Sequence, residues 1–193
     1  MTGREVERSA RAETTPRGER GAAGAGRAGR AIAIEPYERA RHGDGPARVI
    51  QSVYREYGFT WEPDGYHRDV VHPETAYAPP HLFAVAVREG RVVGTVGGLR
   101  RDGDVAELER LYLLREERGC GAGRALCERF LAWARASRCV RAIAWSDKRF
   151  VEAHALYGRL GFRVVGERIC PGDPDEAPEW GLALDLAPSP ERV

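Results

Sequence analysis

Three apolar, strand-like runs separated by two tight turns dominate the middle of the sequence. The runs are HLFAVAV, RVVGTVGGL and VAELERLYLL. Glu89 and Gly90 form the first turn, and Asp102, Gly103 and Asp104 form the second. Apolar and β-branched runs bounded by Gly and Asp are typical of strands joined by hairpins. The pattern predicts an antiparallel meander, so the fold must be built on a β-sheet.

The segments on either side of the meander have strand or helix periodicity. Upstream, AIAIEP predicts a short strand ending at Pro36, and the apolar residues before Gly58 recur at helical spacing. Downstream, RALCERFLAWARA and RFVEAHALYGRL predict helices on either side of the buried strand CVRAIAW, and FRVVGERI and EWGLALDL predict two closing strands. We expect an α/β fold (α+β, mixed sheet), with a central, mostly antiparallel sheet and flanking helices.

The segment from Phe59 to Pro80 has no regular periodicity, because proline and glycine interrupt it repeatedly. Trp61, Tyr66 and Tyr77 give this segment large amphipathic side chains. These features predict a binding loop or a short lid helix.

The two ends of the chain differ in composition from the patterned middle. Residues 1–30 are rich in Arg, Gly and Ala and contain one large aliphatic side chain, Val6, so burial cannot offset the entropy lost on ordering them. We expect a disordered tail over 1–30, one domain over 31–188 and a C-terminal tail over 189–193. A total of 193 residues is an ordinary length for a chain with one domain.

Composition argues against several classes of protein. The formal net charge of +1 provides no overall field that would attract nucleic acid or an anionic membrane. No run approaches the ~20 apolar residues of a membrane span, and the N-terminus is charged where a secretory signal is apolar. We therefore expect no membrane association, no nucleic-acid partner and a cytoplasmic location.

The cysteines and histidines form no metal-binding pattern. Cys120, Cys127, Cys139 and Cys170 contain no CxxC pair, and three of them fall in predicted helices or strands. The histidines form no HExxH motif and no Cys/His cluster. The sequence predicts buried free thiols and no metal.

A glycine-rich segment lies where the last strand of the meander gives way to a helix. Gly119, Gly121 and Gly123 allow main-chain amides to approach an anion at a helix N-terminus, which carries about half a positive charge. Arg124 stands where a dinucleotide-binding GxGxxG needs its last glycine, and no Gly-Lys-Ser/Thr completes a Walker loop. The residues alone therefore predict an anion site, or a tight turn that only connects strand to helix.

The pattern Arg-x-x-Gly-x-Gly from Arg118 to Gly123 resembles that of the GNAT acetyltransferases. AELERLYLLREERGCGAGRAL is similar to the family's fourth strand, pyrophosphate loop and next helix, and AHALYGRLGF to the end of a later helix. The resemblance extends over nearly everything from Ala31 onward. It implies an N-acetyltransferase, an acyltransferase that moves an acetyl group directly from acetyl-CoA to a primary amine of a small molecule or peptide.

The resemblance also implies where acetyl-CoA binds. In the family the fourth and fifth strands splay apart, and the pantetheine arm pairs with the main chain of the fourth strand. Carried over, the strand residues are Leu111, Tyr112 and Leu113, and the pyrophosphate residues are Arg118, Gly119, Cys120, Gly121, Ala122, Gly123 and Arg124.

Asp147 occupies a position where many relatives carry an asparagine that contacts the cofactor arm. It follows Ser146 at the end of a predicted strand. Asp147 is therefore a candidate for contacting the cofactor or for capping the next helix.

Acetyl transfer needs a neutral amine, and an alkylammonium with a pKa of about 10 is protonated at neutral pH. Glu107 and Glu109 are the candidate bases. Because side chains alternate along a strand, we expect both on one face with Leu111, and Arg110 and Tyr112 on the other. The resemblance favours Glu107 as base. Glu109 could instead bind the amine, a water relay could carry the proton, and either glutamate could be only an exposed ion pair.

Tyr157 matches the family's general-acid tyrosine, which protonates the departing CoA thiolate. The alternative is an aromatic side chain packed between helix and sheet. Cys120 is a candidate for a covalent route, which the resemblance disfavours, because the family transfers the acetyl group directly.

Two other functions fit the same sequence. One is a CoA-binding regulatory or interaction protein with weak catalysis, and the other is an acetyltransferase acting on aminoacyl-tRNA or a protein, with the tail arginines attracting the polyanion. Asp173, Asp175 and Glu176 hint at a cationic substrate. Relatives often dimerise through sheet edges or C-terminal strands, which implies a homodimer.

Overall fold

The computed structural model describes residues 31–186, and the predicted tails, 1–30 and 189–193, lie outside this range. The strands are β1 (Ala33–Pro36), β2 (Leu82–Arg88), β3 (Arg91–Arg101), β4 (Val105–Leu113), β5 (Arg141–Asp147), β6 (Arg163–Ile169) and β7 (Pro178–Asp185). The helices are α1 (Arg39–His42), α2 (Gly45–Tyr57), α3 (Arg68–Val71), α4 (Pro73–Ala76), α5 (Ala122–Ala136) and α6 (Val151–Arg159). A short 3-10 turn spans Arg115–Glu117.

The strands form one sheet in the order β1-β2-β3-β4-β5-β7-β6. The β4–β5 pair is parallel, and every other pair in the sheet is antiparallel. Both hairpins of the meander formed as expected, and α5 provides the crossover from β4 to the parallel strand β5. The predicted mixed α/β fold is confirmed.

The parallel pair β4–β5 is short and opens into a V. Hydrogen-bonded pairing joins 105–108 of β4 to 141–144 of β5 and then stops. Beyond that point β4 continues beside β3, while β5 continues beside β7. The two strands separate at their carboxyl ends, which leaves one side of 109–113 open to a cleft.

Helices cover both faces of the sheet at the level of β3 and β4. α5 packs so closely on one face that a Cβ on Gly98 would lie 2.7 Å from the ring of Trp133. On the other face, α2 buries Val49, Ile50 and Val53. The core is therefore continuous through the sheet, and the V opens beside its best-packed part.

The segment between α2 and β2 forms two short helices, α3 and α4, where the sequence predicted a loop or one short helix. It packs on the core through His67, which is fully buried and stacks on Trp61 with 4.3 Å between ring centroids. Cys127, Cys139 and Cys170 are buried free thiols, whereas Cys120 is exposed. The expectation of burial was wrong for Cys120, because its loop turns away from the core.

Candidate active site

A cavity of about 610 Å³ fills the V between β4 and β5. The loop before α5 and the helix α6 close its sides, and Tyr57, Phe59 and Phe150 add aromatic walls. The predicted site residues that line it are Glu109, Leu111, Tyr112, Leu113, Arg118, Gly119, Gly121, Gly123, Arg124, Asp147 and Tyr157. Glu107, Cys120 and Ala122 do not reach its surface.

Main-chain amides without acceptors form the rim of this cavity at the start of α5. Within residues 31–186, none of the six amides from Gly119 to Arg124 donates to a carbonyl or a side chain. Gly121 caps the helix with φ 91°, a left-handed conformation that favours glycine. A row of free amides at a helix N-terminus is suited to binding phosphate oxygens.

The two arginine side chains of the loop are engaged in ion pairs. Arg118 binds both carboxylate oxygens of Glu56 at 2.8 and 2.7 Å, and its own amide donates to the carbonyl of Arg115. Arg124 pairs with Glu128. The Arg118 amide, which the sequence assigned to phosphate, is thus already used. The free amides begin one residue later.

A β-bulge interrupts β4 at the mouth of the V. Gly97 lies opposite Glu109, and Thr95 lies opposite Tyr112. Two residues of β4, Arg110 and Leu111, therefore share the single position opposite Val96. Arg110 has φ 50°, and its carbonyl accepts a hydrogen bond from the hydroxyl of Thr95.

The bulge overturns the predicted alternation along β4. Tyr112 moves to the face of Glu109, where its hydroxyl lies 3.4 Å from that of Tyr54 in α2. Arg110 also turns to this face, toward α3, whereas the sequence placed Arg110 and Tyr112 on the face opposite the glutamates. One inserted residue shifts every later side chain by one position in the pleat.

A second cavity, of about 410 Å³, adjoins the first where β4 and β5 separate. Both cavities are lined by Tyr66, Leu108, Glu109, Arg110, Tyr112, Trp145, Cys170 and Glu179. Glu107, Arg101 and Arg168 line only the second cavity. The cleft therefore has two ends: a glycine-loop end and an end rich in charged side chains, with Glu109 between them.

Arg101 of β3 bridges the two β4 glutamates. Its Nε lies 2.6 Å from Glu107 Oε2, and its Nη2 lies 3.1 Å from Glu109 Oε1. The carboxylates share one face, as expected. Burial raises the pKa of Glu109 above its usual value, and the negative charge of Glu107 raises it further, against the opposing effect of nearby Arg110 and Arg101.

Arg110 anchors the segment between α2 and β2 beside this cluster. Its Nε and Nη2 bind Asp69 at 2.8 and 3.0 Å, and Nη2 also donates to the carbonyl of Tyr66. The Tyr77 hydroxyl lies 3.0 Å from Asp69 Oδ2 and 3.1 Å from Glu109 Oε2. The segment between α2 and β2 is thus fixed against β4 by a partly buried ion pair.

Tyr157 of α6 is 3% exposed, and its ring packs on Phe162. Burial raises the pKa of its phenol well above the usual value, so the hydroxyl stays protonated at neutral pH. Within the described residues, this hydroxyl has no hydrogen-bond partner in the protein, and Tyr157 lines the main cavity. A protonated donor without a protein acceptor therefore borders the cleft.

Asp147 binds Arg149 rather than a helix. Its carboxylate accepts hydrogen bonds from the amide and the guanidinium of Arg149. α6 begins at Val151, and its N-cap residue is Phe150, whose side chain makes no capping hydrogen bond. The helix-capping alternative was wrong, because the chain makes a turn between Asp147 and the helix.

The acidic residues of the β6–β7 loop have structural partners. Asp175 accepts hydrogen bonds from the amide and hydroxyl of Thr60, and Asp173 accepts from the amides of Asp175 and Ala177. Glu176 has φ 46° in the same turn. These contacts attach the loop to the segment after α2, so they give the acids a role without a cationic substrate.

Sequence reasoning missed most side chains of the charged end. Arg101, Arg168 and Glu179 come from three separate parts of the chain.

Within residues 31–186, no three His, Cys, Asp or Glu side chains are grouped as metal ligands would be. In the same range, no helix combines the length and apolarity needed to cross a bilayer.

Solved structures of acetyltransferases share this architecture. An acetyltransferase of the GNAT family from Staphylococcus aureus aligns with a TM-score of 0.70 at 20% identity, covering 81% of this chain and 100% of that one. YncA, a putative acetyltransferase from Salmonella typhimurium solved with acetyl-CoA, aligns with a TM-score of 0.65 at 17% identity, covering 84% of this chain and 99% of that one. These likenesses identify the fold.

Sequence relatives carry the comparison further. YjgM of Escherichia coli (strain K12), an uncharacterized N-acetyltransferase, is 33% identical over 143 residues, covering 68% of this chain and 84% of that protein. N-acetylaspartate synthetase of Danio rerio is 36% identical over 104 residues. The match covers 52% of this chain and 37% of that protein. The model of the acetyltransferase (GNAT) family matches residues 47–162. The chain therefore belongs to the GNAT family of acetyltransferases and is an acyltransferase enzyme.

Proposed function

We propose that this enzyme transfers the acetyl group of acetyl-CoA directly to a primary amine of a small molecule or peptide. One observation carries the proposal: a single cleft connects the free amides of 119–124 to the β4 carboxylates. The first end suits a pyrophosphate, and the second can accept a proton from an ammonium. Glu109 lines both cavities, so it stands where the two substrates meet.

The cleft fits acetyl-CoA in three respects. The amides after Arg118 have no acceptors within the described residues, the glycines leave room for phosphate oxygens, and β4 has an unpaired side beyond Leu108. Leu111 and Leu113 line the cavity beside that side. When bound, acetyl-CoA supplies the activated acetyl group, and the protein supplies position and proton transfer.

Glu109 is a better candidate for the general base than Glu107. It borders both cavities, whereas Glu107 is 8% exposed and is held at 2.6 Å by Arg101. A carboxyl with a raised pKa is a stronger base than an ordinary one, provided that it stays ionised at the working pH. We therefore assign the ammonium proton to Glu109, directly or through one water, and an electrostatic role to Glu107.

The transfer then balances with the groups present. The ammonium first gives one proton to Glu109, and the neutral amine then attacks the thioester carbonyl carbon to form the C–N bond. As the C–S bond breaks, the Tyr157 hydroxyl protonates the departing thiolate, and the nitrogen releases its second proton to water. Tyr157 regains a proton from water and Glu109 releases its own, so one proton is set free for each acetyl group transferred. Cys120 has no place in this sequence, because its thiol lies outside the cavity and donates to the carbonyl of Glu117.

An acceptor screen monitored by thiol release tests the proposal. Polyamines, aminoglycosides, amino acids and N-terminal peptides are incubated with acetyl-CoA, and the acetylated products are identified by mass. We expect acetyl-CoA alone to raise Tm and at least one acceptor class to release thiol. Stabilisation by acetyl-CoA without any transfer would identify a CoA-binding regulatory protein instead. The absence of stabilisation at saturating acetyl-CoA would exclude both functions.

A further inference from the structure

Three arginines line the charged end of the cleft, and they differ in how many of their donors the protein already uses. Arg110 gives Nε and Nη2 to Asp69 and to the carbonyl of Tyr66. Arg101 gives Nε and Nη2 to the β4 glutamates. Arg168 gives only Nε, to Glu179 at 2.7 Å.

The terminal amino groups of Arg168 have no hydrogen-bond partner among residues 31–186. Its side chain is about one-third exposed at 34%, whereas that of its partner Glu179 is 10% exposed. A guanidinium presents a planar pair of donors that matches the two oxygens of a carboxylate. Arg168 is thus the arginine of this end with a complete terminal fork still available to a ligand.

Two contacts hold the Arg168 guanidinium in a fixed orientation. Arg168 lies directly opposite Glu179 in the β6–β7 ladder, so their ion pair is a cross-strand contact. The guanidinium carbon lies 4.1 Å from the centroid of the Trp145 ring. The side chain is therefore already ordered, and it loses little further conformational entropy when it binds a ligand.

The stacking also determines where the guanidinium lies. Arg168 belongs to β6, an edge strand of the sheet, and Trp145 belongs to β5, two strands closer to β4. Neighbouring strands are about 4.8 Å apart, so contact with Trp145 carries the positive charge across β7 toward the mouth of the V. Both residues line the second cavity together with Glu109.

We propose that the acceptor is a free amino acid, whose carboxylate binds the terminal amino groups of Arg168 while its amine faces Glu109. This assignment rests on the proposed acetyl transfer and narrows it to amines that carry a neighbouring carboxylate. A peptide N-terminus has no carboxylate beside its amine and leaves the fork of Arg168 without a partner. Arg168 is accordingly a residue that determines specificity, and Glu179 and Trp145 position it.

Matched acceptor pairs test the assignment with the full chain. Phenylalanine and phenethylamine, tryptophan and tryptamine, and histidine and histamine differ by one carboxylate, and the other amino acids are screened alongside them. We expect the enzyme to acetylate at least one amino acid with a kcat/KM about 10- to 100-fold above that of its decarboxylated partner. This range corresponds to one charge-assisted contact.

Variants of Arg168 locate the effect. Arg168→Gln should remove the preference within each pair by raising KM for the amino acid, and Arg168→Lys should restore only part of it, since a lysine ammonium lacks the fork. Arg163→Gln is the matched control, because Arg163 is an exposed arginine on the same strand. This control should retain the full preference.

Two results would overturn the assignment. One is acetylation of simple amines or peptides by the unmodified enzyme with no preference for a carboxylate, which would leave the proposed acetyl transfer intact. The other is an equal loss with both members of a pair in Arg168→Gln. If Arg168→Gln fails to fold, Arg168→Lys and the pair preference of the unmodified enzyme still decide the outcome. Failure of acetyl-CoA to bind would instead refute the proposed function itself.

Discussion

The two ends of the cleft are built in different ways. The glycine-loop end is a continuous stretch of six residues, 119–124, and it offers main-chain amides. The charged end assembles side chains from β3, β4, β6 and β7, including Arg101, Glu109 and Arg168. Main-chain amides suit a ligand that is the same in every reaction, whereas the side chains of the second end can acquire a new specificity by single substitutions.

This difference predicts that the two ends can be disabled separately. Proline is the one substitution that removes a main-chain donor. Otherwise the glycine-loop end should respond only to substitutions that alter backbone conformation or fill the space of the phosphates. The charged end should respond to changes of charge.

The largest effect is expected from Glu109→Gln. Removing the base should lower kcat about 10²- to 10⁴-fold, the usual contribution of one general base. Affinity for acetyl-CoA, measured by thermal stabilisation, should stay within about twofold, because the amides of 119–124 are unchanged. Glu107→Gln is the comparison and should lower kcat much less. The reverse order would make Glu107 the base, as the resemblance to the family favours.

Gly121→Val should weaken acetyl-CoA binding about 10- to 100-fold. Gly121 has φ 91°, and a β-branched residue is strained there by roughly 1–3 kcal/mol, so the loop should shift and its amides lose their alignment. Cys120→Ala is the control and should change binding by less than about twofold. Equal effects of the two variants would show that the loop is only a connection between strand and helix.

Tyr157→Phe should lower kcat about 10-fold. The effect is smaller than that of Glu109→Gln because a thiolate leaving group is weakly basic and needs less help from an acid than an ammonium needs from a base. The Kd of acetyl-CoA and the Tm should change little, since the buried ring remains. A change in Tm without a change in kcat would assign Tyr157 to packing.

The smallest effect is a shift in pH dependence for Arg101→Gln. The positive charge of Arg101 lowers the pKa of Glu109, so its removal should raise that pKa further. Because the reaction needs Glu109 ionised, activity should be lost at a higher pH as the solution is acidified. The acid limb of the kcat/KM profile measures this shift. A limb that moves to lower pH would contradict the assignment of Glu109.

The sequence predicted the glycine-loop end better than the charged end for a physical reason. The loop is local, so glycine spacing and the change from strand to helix periodicity are enough to locate it. The strands and the long helices α2 and α5 were also predicted correctly, because their periodicity is likewise a local property of the sequence. The untested roles of Glu107, Glu109 and Tyr157 stay predictions.

The charged end depends on contacts that sequence spacing does not record. The bulge at Arg110 changes which side chains face the cleft, and strict alternation gives no sign of it. The partners Arg168 and Trp145 are brought together by the order of the strands in the sheet. Asp175, which suggested a cationic substrate, lines the main cavity and also accepts hydrogen bonds from Thr60, a contact that the sequence does not record.

The most direct test of separate ends is a calorimetric titration of acetyl-CoA into four proteins. These are the unmodified enzyme and its variants Gly121→Val, Glu109→Gln and Arg168→Gln. If the cofactor is held by the amides of 119–124, only Gly121→Val should weaken binding, by about 10-fold or more. Comparable weakening in the charged-end variants, or unchanged binding in Gly121→Val, would contradict the account.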